Sequence, residues 1–165
     1  MKYLITGITG QDGLHLTSKI LSSASKDSVL GITRTIPNKS FFKNLEYLIP
    51  KADLKSVELT SIDMLKSYDV EKIISDYQPD MIFNLSGPSS VYNSFSNPQN
   101  TFDSIYGIFN NLVNACVKNN NFCSFFQPSS SEMFKDSKGE RLTEKSELEP
   151  LSPYAKAKYS VHNQV

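Results

Sequence analysis

Arginine is nearly absent, with Arg34 and Arg141 the only two in 165 residues. Lysine and arginine together number 17, as do aspartate and glutamate, so the formal net charge is zero. A chain that grips a nucleic-acid backbone needs a basic face, and this composition argues against that class of partner. Cysteine is as scarce. Cys116 and Cys123 stand seven apart without a C-x-x-C spacing, and His15 and His162 are the only histidines. Neither a disulfide framework nor a zinc site is indicated, and both thiols are expected to be packed. No apolar run approaches the roughly 18 residues of a membrane span. The opening Met1-Lys2-Tyr3-Leu4-Ile5-Thr6-Gly7 enters a strand pattern at once, without the charged and long apolar regions of a signal peptide. The expected location is the cytoplasm. Apolar residues, by contrast, make up 39% of the chain, enough for the core of one domain without crosslinks or metal.

Short β-branched or aromatic runs alternate along the chain with longer segments of helical spacing. Strands are predicted over 2–6, 28–33, 55–59, 81–85 and 122–127, and helices over 12–24, 39–48, 65–77 and 101–119. This alternation predicts a parallel sheet with helices on its faces, a doubly wound α/β fold over 1–165. In the third helix Val70, Ile73, Ile74 and Tyr77 recur at three- and four-residue intervals, and Gln78-Pro79-Asp80 supplies the break after it. The segment 135–151 is polar, holds Gly139 and Pro150, and reads as a long loop. A further helix opens at Ser152-Pro153, with serine as cap and proline in its first position.

Thr6-Gly7-Ile8-Thr9-Gly10-Gln11-Asp12-Gly13 falls between the first strand and the first helix. Glycines there let the chain turn tightly, approach a pyrophosphate and pack helix against strand. Gly7, Thr9, Gly10, Gln11, Asp12 and Gly13 are therefore candidate cofactor-binding residues. An acid after the second strand would select NAD through the adenosine ribose. Here the strand ends Gly31-Ile32-Thr33-Arg34-Thr35, and Arg34 offers a planar fork of donors to a 2′-phosphate. The expected cofactor is NADP, with NAD as the alternative. Ser86 and Gly87 follow the fourth strand, at the carboxyl edge where such sheets bind ligands.

A tyrosine, which titrates near about 10 in water, needs a nearby cation to serve as a base at neutral pH. Tyr154 and Lys158 lie four apart on the last predicted helix and share a face, so the lysine can lower the phenol's pKa while also reaching the nicotinamide ribose, which makes both candidates for catalysis and for cofactor binding.

The G-x-x-G-x-x-G turn with the distant Tyr154-Ala-Lys-Ala-Lys158 resembles the extended short-chain dehydrogenase/reductase superfamily. More narrowly, Gly7 to Gly13, Gln78-Pro79-Asp80, Asn84-Leu85, Ser94-Phe95 and Ser129-Ser130-Ser131-Glu132 resemble the amino-terminal half of the GDP-mannose 4,6-dehydratases. The resemblance implies that Asp63 lies beside the adenine amino group and that Met64 covers the ring, with Leu85, Ser86 and Gly87 along the cofactor. It also implies that Ser130 bonds the substrate's 4-oxygen and that Glu132 removes the C5 proton. The implied activity is a lyase cycle on a nucleotide sugar, GDP-mannose, giving a 4-keto-6-deoxy product. A nucleotide-sugar decarboxylase, a 4-epimerase, and a cofactor-binding fragment without turnover remain the alternatives. The sequence departs from the family at Thr35, where a second arginine is usual. It departs again at Ser86-Gly87-Pro88, where a glutamine and a histidine are usual, and at Phe134-Lys135 after Glu132. The family holds its sugar nucleotide largely with segments after the Tyr154 helix. A chain stopping at Val165 is therefore expected to leave a sheet edge for a second copy or another partner to cover.

Overall fold

The computed structural model describes residues 1–23, 27–36, 39–49, 54–135, 139 and 141–165. They fall into two compact units, one of residues 1–86 and 111–127, the other of 87–110 and 128–165.

The first unit is a five-stranded parallel sheet of β1 (Lys2–Thr6), β2 (Ser28–Thr33), β3 (Val57–Ser61), β4 (Met81–Asn84) and β5 (Ser124–Phe126), in the order β3-β2-β1-β4-β5. The chain steps outward from β1 to β3, then crosses back to β4 beside β1. That reversal is the topological switch point of the sheet, and it falls between β1 and β4, at whose carboxyl ends doubly wound sheets bind ligands. The predicted first two strands match β1 and β2 residue for residue.

Side chains alternate across the strands, and both faces are apolar because both are covered. Ile5, Val29 and Val57 pack with Ile8, Ile20, Phe41 and Leu45, the last four belonging to the turn after β1 and to helices α1 (Gln11–Ser23) and α2 (Ser40–Leu48). Leu4 pairs in register with Leu30 and Ile82. Val70 and Ile74 of α3 (Ser67–Tyr77) and Leu112 and Ala115 of α6 (Ile108–Lys118, the part from Asn111 onward) are fully buried too. Burying one such Leu or Ile contributes about 1.5–3 kcal/mol, so the sheet's two apolar faces, not its loops, hold this unit together.

The predicted helix end at Ala24 lies outside the described residues. The third strand begins two residues later than predicted, because Leu54–Ser56 close a tight 3-10 turn first. The fifth strand is three residues long, because α6 ends in a left-handed stop at Asn120, φ +49°. α3 ends similarly at Gln78, also at φ +49°, whose N–H returns to the Ile74 carbonyl at 2.9 Å.

The second unit holds α4 (Val91–Ser96), α5 (Pro98–Phe102), a π-helical turn (Asp103–Gly107) and α7 (Pro153–His162). Neither α4 nor the early start at Pro98 was legible as helix, since the first is a turn and a half long and the π turn shifts the apolar period between α5 and α6. α7 opens as predicted, the Ser152 hydroxyl accepting from the Ala155 N–H at 3.0 Å. The segment read as a long loop holds no helix or strand among its described residues, and it is tied by Lys135 N–H on the Glu147 carbonyl and Glu149 N–H on the Met133 carbonyl, both at 2.9 Å. No helix among the described residues is long and apolar enough to cross a membrane.

Tyr77 yields a pH prediction for the first unit. Its hydroxyl lies 3.1 Å from the Ser28 carbonyl and 3.3 Å from that of Tyr3, and burial pushes the phenol above its ordinary value. The folded chain thus holds this proton more tightly than the unfolded one. The contribution is intact below about pH 10 and is lost as pH rises through the folded-state value. Urea unfolding should show lower stability at pH 11 than at pH 9, and Tyr77→Phe should shrink that difference; an unchanged difference would assign the loss to other groups.

Candidate functional site

In the first unit the site is built on the ends of β1 and β4. Gly7 takes a left-handed φ of +67°, and a Cβ on it would stand 2.7 Å from the Leu85 carbonyl oxygen. Glycine is therefore required for the turn to pass so close to the loop after β4. At Gly13 a Cβ would fall 2.5 Å from the Ile8 carbonyl oxygen, so this glycine lets α1 sit directly against the turn. Gly10 donates to the Gly7 carbonyl at 2.9 Å, and Thr9, Gly10, Gln11 and Asp12 are exposed around the amino terminus of α1. Open backbone at the start of a 13-residue helix is suited to an anion by both donor direction and dipole.

A buried polar network fixes these strand ends. The Thr6 hydroxyl stands 2.6 Å from Asn84 Oδ1 and 3.0 Å from the Ser86 hydroxyl, and Ser86 N–H donates to Thr6 Oγ1 at 3.1 Å. Asn84 Nδ2 donates to Gln127 Oε1 at 2.7 Å. Thr6 and Asn84 are essentially inaccessible, and stripping a partner from such a group costs about 1–3 kcal/mol. Thr6, Asn84 and Gln127 were not singled out as site residues. Their signal was a polar residue closing an otherwise apolar strand run.

Arg34 stands just past β2, exposed, its carbonyl accepting from the Ser61 hydroxyl at 2.7 Å. No described carboxylate forms an ion pair with its guanidinium. Asp63 is exposed after β3, and its Oδ1 accepts from the Leu65 N–H at 3.0 Å. Met64 is buried, and its carbonyl takes a hydrogen bond from Asn111 Nδ2 at 2.9 Å.

In the second unit Ser130 caps the short turn Ser131–Met133, its hydroxyl accepting from the Glu132 N–H at 3.3 Å. The capped turn buries Met133 and leaves Glu132 exposed. Tyr154 and Lys158 share one face of α7, with Lys158 Nζ 6.0 Å from the Tyr154 ring centroid. Tyr154 is buried, 9% exposed. Lys158 Nζ donates to the Pro128 carbonyl at 3.0 Å, and burial lowers its pKa from the ordinary lysine value. Ser129 Oγ lies 2.8 Å from His162 Nδ1, so two contacts from α7 hold the chain just before Ser130. Gly87 is exposed, at φ +124°.

Strand order and glycine turn define a parallel α/β domain of the Rossmann kind. Solved structures agree on the fold. The UDP-Glc/GlcNAc 4-epimerase of Campylobacter jejuni superimposes with a TM-score of 0.84 at 18% identity, over 99% of this chain and 47% of its own. The dTDP-glucose 4,6-dehydratase DesIV of Streptomyces venezuelae, solved with NAD bound, gives 0.79 at 21% identity, over 96% and 48%. The GDP-mannose 4,6 dehydratase family model matches residues 4–165, and the chain belongs to that family. The Arabidopsis thaliana protein GDP-mannose 4,6 dehydratase 2 is 31% identical over 165 residues, 96% of this chain and 43% of its own length. The chain thus spans less than half the length of that relative.

Proposed function

We propose that residues 1–165 are the cofactor-binding part of a cytoplasmic nucleotide-sugar 4,6-dehydratase that uses NADP and acts on GDP-mannose. The residues suit a dinucleotide: the glycine turn leaves no room for a Cβ at Gly7, and the start of α1 stands open for a diphosphate. Arg34 would hold the 2′-phosphate, and Asp63, Met64, Leu85, Ser86 and Gly87 would line the remainder. When bound, NADP supplies the acceptor for hydride from C4 and its donor to C6. Tyr154 takes the 4-hydroxyl proton, Lys158 keeps the phenolate charge favourable, and the Ser130 hydroxyl, whose own proton is free to donate, holds the 4-oxygen. Glu132 removes the C5 proton as water leaves from C6. The observation that carries a dehydratase over a plain epimerase is Glu132 itself, an exposed carboxylate on a turn capped by Ser130. Epimerisation needs only Tyr154 and Lys158.

Calorimetric titration tests the cofactor. A charged hydrogen bond contributes about 1.5–3 kcal/mol, so NADP should bind this chain roughly ten- to a hundredfold more tightly than NAD. Arg34→Ala should close most of that gap by weakening NADP alone. Equal affinities in the unsubstituted chain would remove the basis for NADP.

A further inference from the structure

The two cysteines lie outside everything described so far. Cys116 is in the last turns of α6, and Cys123 immediately precedes β5. α6 stops with Asn120 left-handed, the Asn121 N–H returning to the Cys116 carbonyl at 2.9 Å and the Asn120 N–H to that of Val117 at 3.2 Å. These are the paired bonds of a Schellman stop, and they turn the chain back toward the sheet. On its far side the Ser124 N–H donates to the Asp80 carbonyl at 2.9 Å, setting β5 in register beside β4. With both ends of the reversal held, the two sulfurs stand 3.7 Å apart, in contact, against about 2.05 Å in a disulfide. Each thiol is partly buried, so both remain within reach of a small oxidant.

The pair is also polarised. Either sulfur can donate while both are protonated, but once Cys123 is ionised the Cys116 S–H donates to it, and that bond brings Cys123 down to about 7, against burial and the Asp80 carboxylate, which push it up. The same bond and burial hold Cys116 protonated, above its ordinary value. A thiolate with a protonated thiol in contact is the arrangement of an attacking and a resolving cysteine.

We propose that Cys116 and Cys123 form a peroxide-responsive dithiol that closes reversibly to an intramolecular disulfide, fastening the end of α6 to the start of β5. The Cys123 thiolate attacks one oxygen of hydrogen peroxide. The O–O bond breaks, the departing hydroxide takes up a proton to leave as water, and Cys123 becomes a sulfenic acid. The Cys116 sulfur then attacks the Cys123 sulfur. The S–O bond breaks, and the oxygen leaves as a second water with the Cys116 proton. Two electrons pass from the two thiols to the peroxide, and a dithiol reductant returns them. None of this involves the nucleotide or tyrosine residues, so it stands apart from the dehydratase reading.

The test uses the intact chain with hydrogen peroxide in small excess at pH 7, followed by maleimide counting of thiols and mass spectrometry. Both thiols should disappear together in a single chain lighter by two hydrogens, and dithiothreitol should restore them fully. Cys116→Ser should stop at the sulfenic acid on Cys123, trapped by dimedone. Cys123→Ser should react at least about tenfold more slowly. Two thiols still open to maleimide after peroxide, a covalent dimer in place of the closed chain, or equal peroxide rates in the two serine variants would each overturn the proposal.

Discussion

Gly7→Ala is expected to cost about 2–4 kcal/mol of stability and to abolish dinucleotide binding, because it adds left-handed strain and a close clash at one position. The new Cβ would meet the Leu85 carbonyl oxygen at 2.7 Å and its carbon at 2.9 Å, both backbone atoms that no rotamer change can move. Relief requires the end of β4 to withdraw from β1. That movement strains the Leu85 N–H bond to the Thr6 carbonyl, 3.2 Å, and the buried contacts of Thr6 with Asn84 and Ser86. Gly139→Ala is the control. Gly139 also has a positive φ, +92°, but no described residue lies within 4 Å of its added Cβ, so it should lose about 1–2 kcal/mol from strain alone and leave binding unchanged. Urea denaturation followed by circular dichroism, with a parallel NADP titration, measures both. Equal losses in the two variants would mean that the close approach of turn and strand carries no energy.

The contrast between those glycines marks where sequence reading succeeds. Gly7 and Gly13 sit at the junction of a strongly β-branched strand and a periodic helix, so their purpose is visible from neighbours in sequence. β1, β2 and α3 were legible for the same reason, each having a strong period and a clear stop. β5 was legible in place, inside the predicted 122–127, but not in its ends, since its start depends on where α6 stops, and that is decided by a left-handed asparagine, not by apolar spacing. α5 and α6 were read as one helix starting at 101, because a π turn leaves no mark in composition and only displaces the period by a residue.

Within the candidate site, local patterns were again the legible ones. The pairing of Tyr154 and Lys158 follows from four-residue spacing on a capped helix, and α7 supplies it. The Thr6, Asn84, Ser86 and Gln127 network depends on register between β1 and β4 and on the loops beyond them, so it emerges only when the strands are aligned. The cysteine contact is similar: seven residues of separation say nothing of a chain reversal that places both sulfurs together. Met64, implied as a cover for an adenine ring, is nearly buried in the folded chain. Any contact with a ring must come from what little of its side chain is accessible.

The division of labour between Tyr154 and Glu132 makes the sharpest catalytic prediction. Its measurement needs this chain joined to the carboxyl-terminal half of a GDP-mannose 4,6-dehydratase relative, since the chain spans 43% of the Arabidopsis protein. Tyr154→Phe removes the group that takes the first proton, so cofactor reduction and product formation should fall together by about 10² or more, the scale for losing a general base. Glu132→Gln should separate them. Glutamine keeps the size and polarity of this exposed side chain, and the backbone N–H that Ser130 accepts is unchanged, so the turn should survive. What is lost is the ability to take the C5 proton. In a single turnover with GDP-mannose the absorbance of reduced cofactor should therefore still rise, while the 4-keto-6-deoxy product and exchange of the C5 hydrogen with solvent both vanish. Ser130→Ala, by contrast, should slow the first step and the elimination alike, because its hydroxyl is assigned to the 4-oxygen present in both. If Glu132→Gln eliminates water at the unsubstituted rate, the carboxylate is only a solvated turn residue and the argument against an epimerase falls with it.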